Sequence, residues 1–267
     1  MINKQDYRKL LDPIRCFLLD MDGTFYLGNQ ILDGSLAFLE KVHSTGREVL
    51  FLTNNSSKSA SVYIEKLQRM GVRTPFLHVL TSGQATGRYA MRAYPGKRAF
   101  VLGTDMLRHE LQSMGMLLDD EHPDYVLIGY DTSLDYAKMT KVCDLVRAGL
   151  PYIATHPDFN CPTETGFAPD IGAIMAFIEA SAGRMPDIVI GKPNRGIVDE
   201  ALRITGLMPS QLAMVGDRLY TDIAMGALHG LLSILVLTGE TKKEEIVNSP
   251  YQPDLVFERL SDMIKYL

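Results

Sequence analysis

Short apolar segments alternate with amphipathic helical patterns along most of the chain, and this alternation is the feature that most constrains the fold. Five segments are short and nearly all apolar, as expected of parallel strands covered on both faces: 14–19, 48–52, 187–190, 212–215 and 233–237. Between them, apolar residues recur at helical spacing, as in Leu36, Leu39 and Val42, and glycines such as Gly46 follow as helix stops. Such alternation predicts an α/β fold with a doubly wound, mostly parallel sheet.

The middle third of the chain repeats this pattern with strands and helices of its own. The strand-like segments are 98–102, 125–129 and 151–155, and the helical patterns cover 105–114, 135–148 and 171–182. Gly and Pro break the periodicity at Ser82-Gly83 and at 183–186, which we interpret as hinges. We therefore predict a core made of 1–83 and 184–267, interrupted by an inserted α/β domain over 84–183.

Charge and cysteine content narrow the class of protein. The 267 residues include 27 Lys and Arg against 32 Asp and Glu, a formal net charge of −5, and neither sign forms a long block. This argues against a nucleic-acid or membrane-binding surface. The cysteines, Cys16, Cys143 and Cys161, lack CxxC spacing, and no apolar run approaches the length of a membrane span. We expect a cytoplasmic protein without a disulfide framework.

Two carboxylates follow the first predicted strand, in the string Asp20-Met21-Asp22-Gly23-Thr24. In an open α/β sheet, ligands bind at the carboxyl ends of strands. A turn alone would explain Asp and Gly there, but the whole string is too specific for that interpretation. With two carboxylates two residues apart, one can attack phosphorus, and the other can protonate the leaving oxygen and then deprotonate water.

Polar residues also follow two other strands. Thr53, Asn54 and Asn55 come after the second strand, where a hydroxyl and N–H groups near a helix start suit an anion, although they could simply cap the helix. Lys192, between a glycine and a proline, follows 187–190. Its backbone neighbours restrict its direction, so it is a candidate for neutralising a phosphoryl group rather than a solvated surface lysine.

A further acidic pair follows the fourth strand. Asp217 stands in the string Val215-Gly216-Asp217-Arg218, and Asp222 is five residues later. Asp217 and Asp20 are expected at the same sheet edge, where clustered carboxylates repel unless a cation lies between them. Mg²⁺ prefers such hard oxygen ligands and is commonly shared with a phosphate. Asp222 is expected behind the ligands, holding Lys192 or a metal-bound water.

Taken together, these motifs resemble the four motifs of the haloacid dehalogenase superfamily in residue type, order and strand-end position. With the insertion between the second and third motifs, the chain is similar to the NagD branch, which carries a large α/β cap. The resemblance implies a Rossmann-like catalytic core and an aspartyl-phosphate mechanism with Asp20 as nucleophile and Asp22 as general acid and base. It implies that Mg²⁺ is held by Asp20, Asp217 and the main-chain carbonyl of Asp22. It also implies that Thr53, Asn54 and Lys192 bind the phosphoryl group.

The cap loop departs from the pattern of this branch. Members often carry Asn-Pro-Asp where this chain has His156-Pro157-Asp158, so His156 is either a substrate contact or a half-buried loop histidine. Tyr130, at the end of a cap strand, either stacks on a substrate or packs in the core.

The function expected from these residues is a Mg²⁺-dependent phosphatase acting on a small phosphorylated metabolite. Sugar phosphates, nucleotides and pyridoxal phosphate remain open as substrates. One alternative is a phosphotransferase or phosphomutase that passes the phosphoryl group to a sugar hydroxyl; another is a receiver-like module in which a phosphorylated aspartate signals. The cap argues against the last, because a signalling module of typical size would not need it. The resemblance also implies a candidate homodimer through the cap.

Overall fold

The computed structural model describes residues 4–163 and 166–267. The helices in these ranges are α1 (Lys4–Leu11), α2 (Ser35–Ser44), α3 (Ala60–Arg69), α4 (Ser82–Ala93), α5 (Asp105–Ser113), α6 (Tyr136–Arg147), α7 (Ile171–Ala182), α8 (Arg195–Thr205) and α9 (Ala224–His229). The strands are β1 (Cys16–Leu19), β2 (Tyr26–Leu27), β3 (Gln30–Ile31), β4 (Glu48–Thr53), β5 (Val79–Thr81), β6 (Arg98–Leu102), β7 (Leu117–Leu118), β8 (Tyr125–Ile128), β9 (Tyr152–Ala154), β10 (Asn160–Thr163), β11 (Gly166–Pro169), β12 (Ile188–Val189), β13 (Leu212–Gly216), β14 (Leu232–Val236) and β15 (Leu255–Phe257).

A first sheet carries β1 at its centre. Within the described ranges it has six strands in the order β15-β14-β13-β1-β4-β5, and the pairs from β15 through β4 are parallel. The strand order reverses at β1, because the chain first adds β4 on one side of it and later β13 on the other. The carboxyl ends of strands at such a reversal form the usual ligand crevice of open α/β sheets.

Apolar side chains on both faces explain why β1 is central. All four of its residues are buried, as is typical of a parallel strand covered on two sides. The rings of Phe17 and Phe38 pack edge to face with their centroids 5.6 Å apart, which holds α2 against one face of the sheet. Phe25 and Phe51 make the same kind of contact at 5.0 Å. This packing holds the loop after β1 against β4.

A second sheet is formed by the middle of the chain. Its five strands in the described residues run in the order β12-β9-β8-β6-β7, and every pair is parallel. The hydroxyls of Thr81 and Thr104 and the carboxylate of Asp135 cap the first turns of α4, α5 and α6 by accepting main-chain N–H bonds. Strands and helices thus occur close to where the periodicity predicts them, and the α/β fold class is confirmed.

The chain divides into two compact units, which we call the first unit (described residues 4–53, 63–80 and 201–267) and the second unit (54–62, 81–163 and 166–200). The second unit therefore includes 54–62 and 184–200, which the sequence assigned to the core. An inserted domain bounded at 84 and 183 stays a prediction.

Two local expectations are wrong. The strand expected at 187–190 forms, but Ile188 pairs with Ile153 of β9, so this strand belongs to the second sheet. A short apolar strand carries no signal for which sheet it joins, because any parallel neighbour buries it equally well. Ser82-Gly83 is not a break in the periodicity, since both residues lie in the first turn of α4 behind the Thr81 cap.

None of the described helices is long and apolar enough to cross a bilayer.

Replacing Phe51 tests the packing around β1. Its side chain is fully buried, so Phe51→Ala should lower the free energy of unfolding by about 3–5 kcal/mol through lost burial and a residual cavity. Guanidinium unfolding followed by circular dichroism measures this. Phe167→Ala removes the same atoms from a ring that is 73% exposed and should change stability by less than about 1 kcal/mol. Equal losses in the two variants would contradict this account of the core.

Candidate active site

Asp20 stands at the carboxyl end of the central strand, where the main chain is fixed on the first sheet. Its N–H donates to the carbonyl of Val215 at 2.9 Å, which continues the pairing of β1 with β13 one residue beyond the strand. Its side chain is half-buried. The predicted nucleophile therefore sits on a rigid main chain at the switch point of the sheet.

The turn after β1 brings Gly23 and Thr24 against Asp217. Gly23 has φ +87°, and a Cβ there would lie 2.5 Å from Asp217 Oδ2, so both conformation and space require glycine. The Gly23 N–H donates to the Tyr26 carbonyl at 2.8 Å and closes the turn. The Thr24 hydroxyl donates to Asp217 Oδ1 at 3.2 Å. Thr24 belongs to the first motif, and the sequence alone indicated no role for its hydroxyl.

Asp217 is buried at the end of β13 and is held by the loop that follows β14. Its Oδ2 accepts the Glu240 N–H at 2.7 Å, and its carbonyl accepts the Thr241 N–H at 3.2 Å. A Cβ on Gly239 would overlap Asp217 Oδ2, so this loop also needs a glycine for close approach. Sequence reasoning missed Gly239 and Glu240, although their position after a strand at the same sheet edge was a usable signal.

Asp222 is fully buried in a short π-helical turn, Leu219–Ile223, that follows β13. Its Oδ2 accepts the Arg218 N–H at 3.1 Å. Its carboxyl group packs so tightly on Gly216 that a Cβ there would overlap it. Glycine is thus required at Gly216 and Gly239, both in the first unit, because a carboxylate lies where a Cβ would be, and not because of a turn.

The carboxylates of Asp20, Asp217 and Asp222 form one cluster, in which one oxygen of each lies within 4.8 Å of the others. We call this the acidic cluster. All its potential ligand atoms are hard oxygens, the donors that Mg²⁺ prefers. The residues present therefore fit a divalent ion.

Arg218 compensates part of this negative charge. Burial alone would lower the pKa of its guanidinium, but Tyr220, Asp20, Glu240 and Asp217 around it raise that pKa above its ordinary value. Its Nε lies 2.9 Å from a Glu240 carboxylate oxygen. Arg218 is therefore protonated throughout the physiological range, and it supplies one fixed positive charge beside three carboxylates.

Asp22 is exposed, and its side chain is absent from the acidic cluster found among the described residues. Its Oδ1 accepts the Gly28 N–H at 3.2 Å. Asp222 has a carboxylate oxygen within 4.8 Å of oxygens of Asp20 and Asp217, and its expected role behind the ligands stays a prediction. The metal contact through the Asp22 carbonyl stays a prediction, and so does the predicted task of Asp22 in proton transfer.

The predicted phosphate-binding residues are divided between the two units. Thr53 ends β4, the neighbour of β1, and belongs to the first unit. Asn54, Asn55 and Lys192 belong to the second unit. There, the Asn54 carboxamide pairs with the main chain of a buried Lys192, and Asn55 Oδ1 accepts the Ser57 N–H at 2.9 Å. Their contact with a phosphoryl group stays a prediction.

His156 is fully buried in the second unit, and both ring nitrogens have protein partners. Nδ1 lies 3.0 Å from the Thr155 hydroxyl, and Nε2 lies 3.1 Å from Asp170 Oδ1. Asp170 also caps α7 through the Ile171 N–H at 2.6 Å. Of the two interpretations of His156, this geometry favours a structural histidine, and one buried more deeply than we expected.

Tyr130 is nearly buried at the end of β8. Its N–H donates to the Ser56 hydroxyl at 2.9 Å, and burial raises the pKa of its phenol to about 12, with Cys161 and Asp170 adding to the effect. The phenol is therefore neutral near pH 7. Tyr130 also lines a cavity of about 350 Å³ with Leu134 and Ile174. Its contact with a substrate stays a prediction.

Two family models match the chain. One, described as haloacid dehalogenase-like hydrolase, matches residues 17–117, and a second, described as HAD-hydrolase-like, matches 189–263. The acid sugar phosphatase of Staphylococcus saprophyticus is 37% identical over 254 residues, which are 95% of this chain and 98% of that protein. The chain belongs to the haloacid dehalogenase-like hydrolase family.

Solved structures of this hydrolase family agree over nearly the whole chain. The crystal structure of 4-nitrophenylphosphatase from Thermotoga maritima is 47% identical, with a TM-score of 0.93 over 96% of this chain and 98% of that one. NagD from E. coli K-12 is 32% identical, with a TM-score of 0.86 over 93% and 98% of the two chains. These similarities confirm the predicted family and its NagD-like branch. They also confirm the predicted enzyme class, since the chain is a hydrolase with phosphatases among its relatives.

Cation binding tests the acidic cluster. Mg²⁺ should raise the melting temperature of the hydrolase, because a ligand of the folded state stabilises it by about 2.7 kcal/mol at a hundred times its Kd. Asp217→Asn should abolish most of this rise, whereas Asp33→Asn, at a side chain that is 91% exposed, should preserve it. Differential scanning calorimetry with and without Mg²⁺ measures both. The same Mg²⁺ response in Asp217→Asn as in the unmodified chain would refute the assignment.

Removing His156 tests its structural role. His156→Ala removes the ring's hydrogen bonds to the Thr155 hydroxyl and the Asp170 carboxylate and leaves a cavity at a fully buried position. Thr155 keeps its bond to the Ser56 hydroxyl and Asp170 its bond to the Ile171 N–H, so the free energy of unfolding should fall by about 2–4 kcal/mol. Denaturant unfolding measures the change, with His122→Ala, at an exposed histidine, as the matched control. A stability loss no greater than that of the control would show that the hydrogen bonds of His156 contribute little.

Proposed function

We propose that this hydrolase is a Mg²⁺-dependent phosphatase that hydrolyses small phosphate monoesters through a phosphorylated Asp20. The observation that carries the proposal is the position of Asp20, which follows the central strand and shares a cluster of three carboxylates. A carboxylate is a competent nucleophile toward phosphorus, and the resulting acyl phosphate divides hydrolysis into two displacements. The names of the relatives, acid sugar phosphatase and 4-nitrophenylphosphatase, support the same chemistry.

In the first displacement, an Asp20 oxygen attacks phosphorus and forms a P–O bond while the ester P–O bond breaks. Asp22 gives a proton to the departing oxygen, so the product leaves as an alcohol. In the second, Asp22 takes a proton from water, the water oxygen bonds to phosphorus, and the bond to Asp20 breaks. Orthophosphate and the starting carboxylates result. The exposed side chain of Asp22 supports this role, because the leaving oxygen and then the attacking water must both reach it.

Mg²⁺ held by Asp20, Asp217 and Asp222 would offset the repulsion between these carboxylates and the phosphoryl oxygens. Asp217 is held for this purpose by the Thr24 hydroxyl and the Glu240 N–H, which fix both of its oxygens. This ligand set includes the Asp222 carboxylate, and the Asp22 carbonyl predicted by resemblance is a further ligand.

The phosphoryl group would be bound by the Thr53 hydroxyl, by main-chain N–H groups of Asn54 and Asn55, and by the Lys192 ammonium. Lys192 is buried, and in a site of low dielectric an ammonium interacts more strongly with an anion than it would in water. Lys192 would thus stabilise charge as the phosphoryl group is transferred. Tyr130, neutral and next to a cavity, remains the candidate for contact with the organic part of the substrate.

Small sugar phosphates are the substrate class that the relatives favour, as the acid sugar phosphatases are 37% identical over nearly their whole length. In the proposed reaction, the phosphoryl group is released as free orthophosphate and is not transferred to a second sugar. From the sequence, we also propose a cytoplasmic location and a homodimer through the second unit.

Release of orthophosphate from 4-nitrophenyl phosphate tests the proposal. The chain should turn over this ester with Mg²⁺, and chelation should abolish the activity. Asp20→Asn should lower kcat by at least about 10⁴-fold, because removal of a nucleophile is rarely compensated, and Asp22→Asn should lower it by about 10²–10⁴-fold. Asp33→Asn is the matched control and should leave kcat unchanged.

A panel of sugar phosphates then separates hydrolysis from transfer, because a hydrolase releases one orthophosphate for each ester consumed. An isomerised sugar phosphate as the main product would favour the phosphomutase alternative. A stable phospho-Asp20 without turnover would favour a receiver-like module. Undiminished turnover in Asp20→Asn would exclude Asp20 as the nucleophile.

A further inference from the structure

We propose that the side chain of Asn54 is a positioning residue: it fixes the main chain of Lys192 and so determines where the lysine ammonium stands, without binding the phosphoryl group itself. The inference rests on the proposed function, in which Lys192 stabilises the transferred group. It differs from the role that the sequence suggested for Asn54, which was direct contact with phosphate.

The two residues are joined by a pair of complementary hydrogen bonds. The Lys192 N–H donates to Asn54 Oδ1 at 2.8 Å, and Asn54 Nδ2 donates to the Lys192 carbonyl at 2.9 Å. One carboxamide thus satisfies both main-chain polar groups of one residue, as a neighbouring strand would. Both bonds are buried, so water does not compete for them and breaking them would leave unpaired polar groups.

Asp158 determines which way the carboxamide faces. Asn54 Nδ2 lies 3.2 Å from each oxygen of the Asp158 carboxylate, so an amide N–H points at a negative charge. A reversed amide would set its oxygen against that carboxylate and against the Lys192 carbonyl, and its NH₂ against the Lys192 N–H. All three contacts would be repulsive, so the orientation is unique.

This arrangement leaves the side chain without a donor for phosphate. A carboxamide has two N–H groups, and here one is directed at the Lys192 carbonyl and the other at Asp158. A phosphoryl oxygen accepts hydrogen bonds and cannot replace the Lys192 N–H at Oδ1. Asn54 can therefore meet phosphate only through its main chain.

Gly191 provides independent support, because the chain before Lys192 is pressed against the same amide. A Cβ on Gly191 would lie 2.7 Å from Asn54 Oδ1 and 2.6 Å from the Thr155 carbonyl. The Gly191 N–H donates to that carbonyl at 2.7 Å. The segment before Lys192 is thus fixed on two sides, by Thr155 and by Asn54, and only glycine fits between them.

A fixed main chain matters for Lys192 because its side chain is long and only 3% exposed. Four methylene groups separate the ammonium from the Cα atom, so a small rotation of the peptide moves the charge by a larger distance. In catalytic sites a displacement of about 1 Å can cost about 10²-fold in rate. By bonding the main chain of Lys192, the Asn54 carboxamide prevents this rotation of the peptide.

A double-mutant cycle distinguishes positioning from direct binding. Lys192→Ala should lower kcat/KM for 4-nitrophenyl phosphate by about 10²–10³-fold. Asn54→Ala should lower it by about 10–10²-fold. The double variant should fall within about threefold of Lys192→Ala alone, because a residue that acts only through Lys192 has nothing left to position. The inhibition constant of orthophosphate should likewise be the same for Lys192→Ala and the double variant.

Asn194→Ala is the matched control, because it removes a hydrogen bond made by a carboxamide side chain in the same turn and leaves the bonds of Lys192 to Asn54 in place. Asn194 Nδ2 donates to the Gly191 carbonyl at 3.0 Å, and the Asn194 main-chain N–H donates to the same oxygen at 2.9 Å and would remain. This variant should keep kcat/KM within about threefold of the unmodified chain. Thermal unfolding of each variant accompanies the kinetics.

If Asn54→Ala lowered kcat/KM by the same factor in the Lys192→Ala background as in the unmodified chain, the result would overturn positioning in favour of direct binding. A lower melting temperature with unchanged kcat/KM of the folded protein would overturn it in favour of a purely structural role. If Asn54→Ala does not fold, the cycle is run with Asn54→Ser, which keeps a small polar side chain but is too short to bond both main-chain groups of Lys192. Turnover by the unmodified chain is the reference throughout, and its absence would refute the proposed function and this inference together.

Discussion

Repulsion between three carboxylates is the constraint that organises the first unit. Oxygens of Asp20, Asp217 and Asp222 lie within 4.8 Å of one another, where two like charges repel by about 3–4 kcal/mol at the effective dielectric of partly buried sites. Such a cluster persists only if the fold determines its geometry. The first sheet does so by placing Asp20 after its central strand and Asp217 after the strand beside it. A cation between the carboxylates would offset this repulsion.

Glycines and main-chain donors make this geometry possible at close range. Gly23, Gly216 and Gly239 each stand where a Cβ would collide with Asp217 or Asp222. The main chain can therefore approach the carboxylates, and N–H groups of Arg218 and Glu240 donate to them. Such donors stabilise the ionised form without adding a mobile charge. The nearby guanidinium of Arg218, whose pKa is raised by the acids around it, adds one positive charge to this compensation.

The sequence predicted the strand-end motifs well because the signal is local: a buried strand, then an acid, then a turn. The boundaries of β6 and α7 match the prediction residue for residue. Which sheet the strand at 188–189 joins could not be predicted, since pairing with β9 depends on residues far away in the chain. How close the Asp222 carboxylate comes to Asp20 could not be predicted for a related reason: it depends on a π-helical turn, and no spacing rule predicts where one forms.

Residue type also failed to tell which polar groups are used for chemistry and which are used for structure. Asn54 and His156 both have side chains that can bind a phosphorylated ligand, and the sequence named both as candidates. In the second unit their hydrogen-bonding groups face Lys192, Asp158, Thr155 and Asp170 instead. A buried polar group must be satisfied by something, and a site that is formed before its ligand arrives satisfies it with protein. Side chains whose hydrogen-bonding groups are already taken are therefore evidence of preorganisation. In the proposed function, phosphate binding is left to main-chain N–H groups and to Lys192, whose main chain Asn54 holds in place.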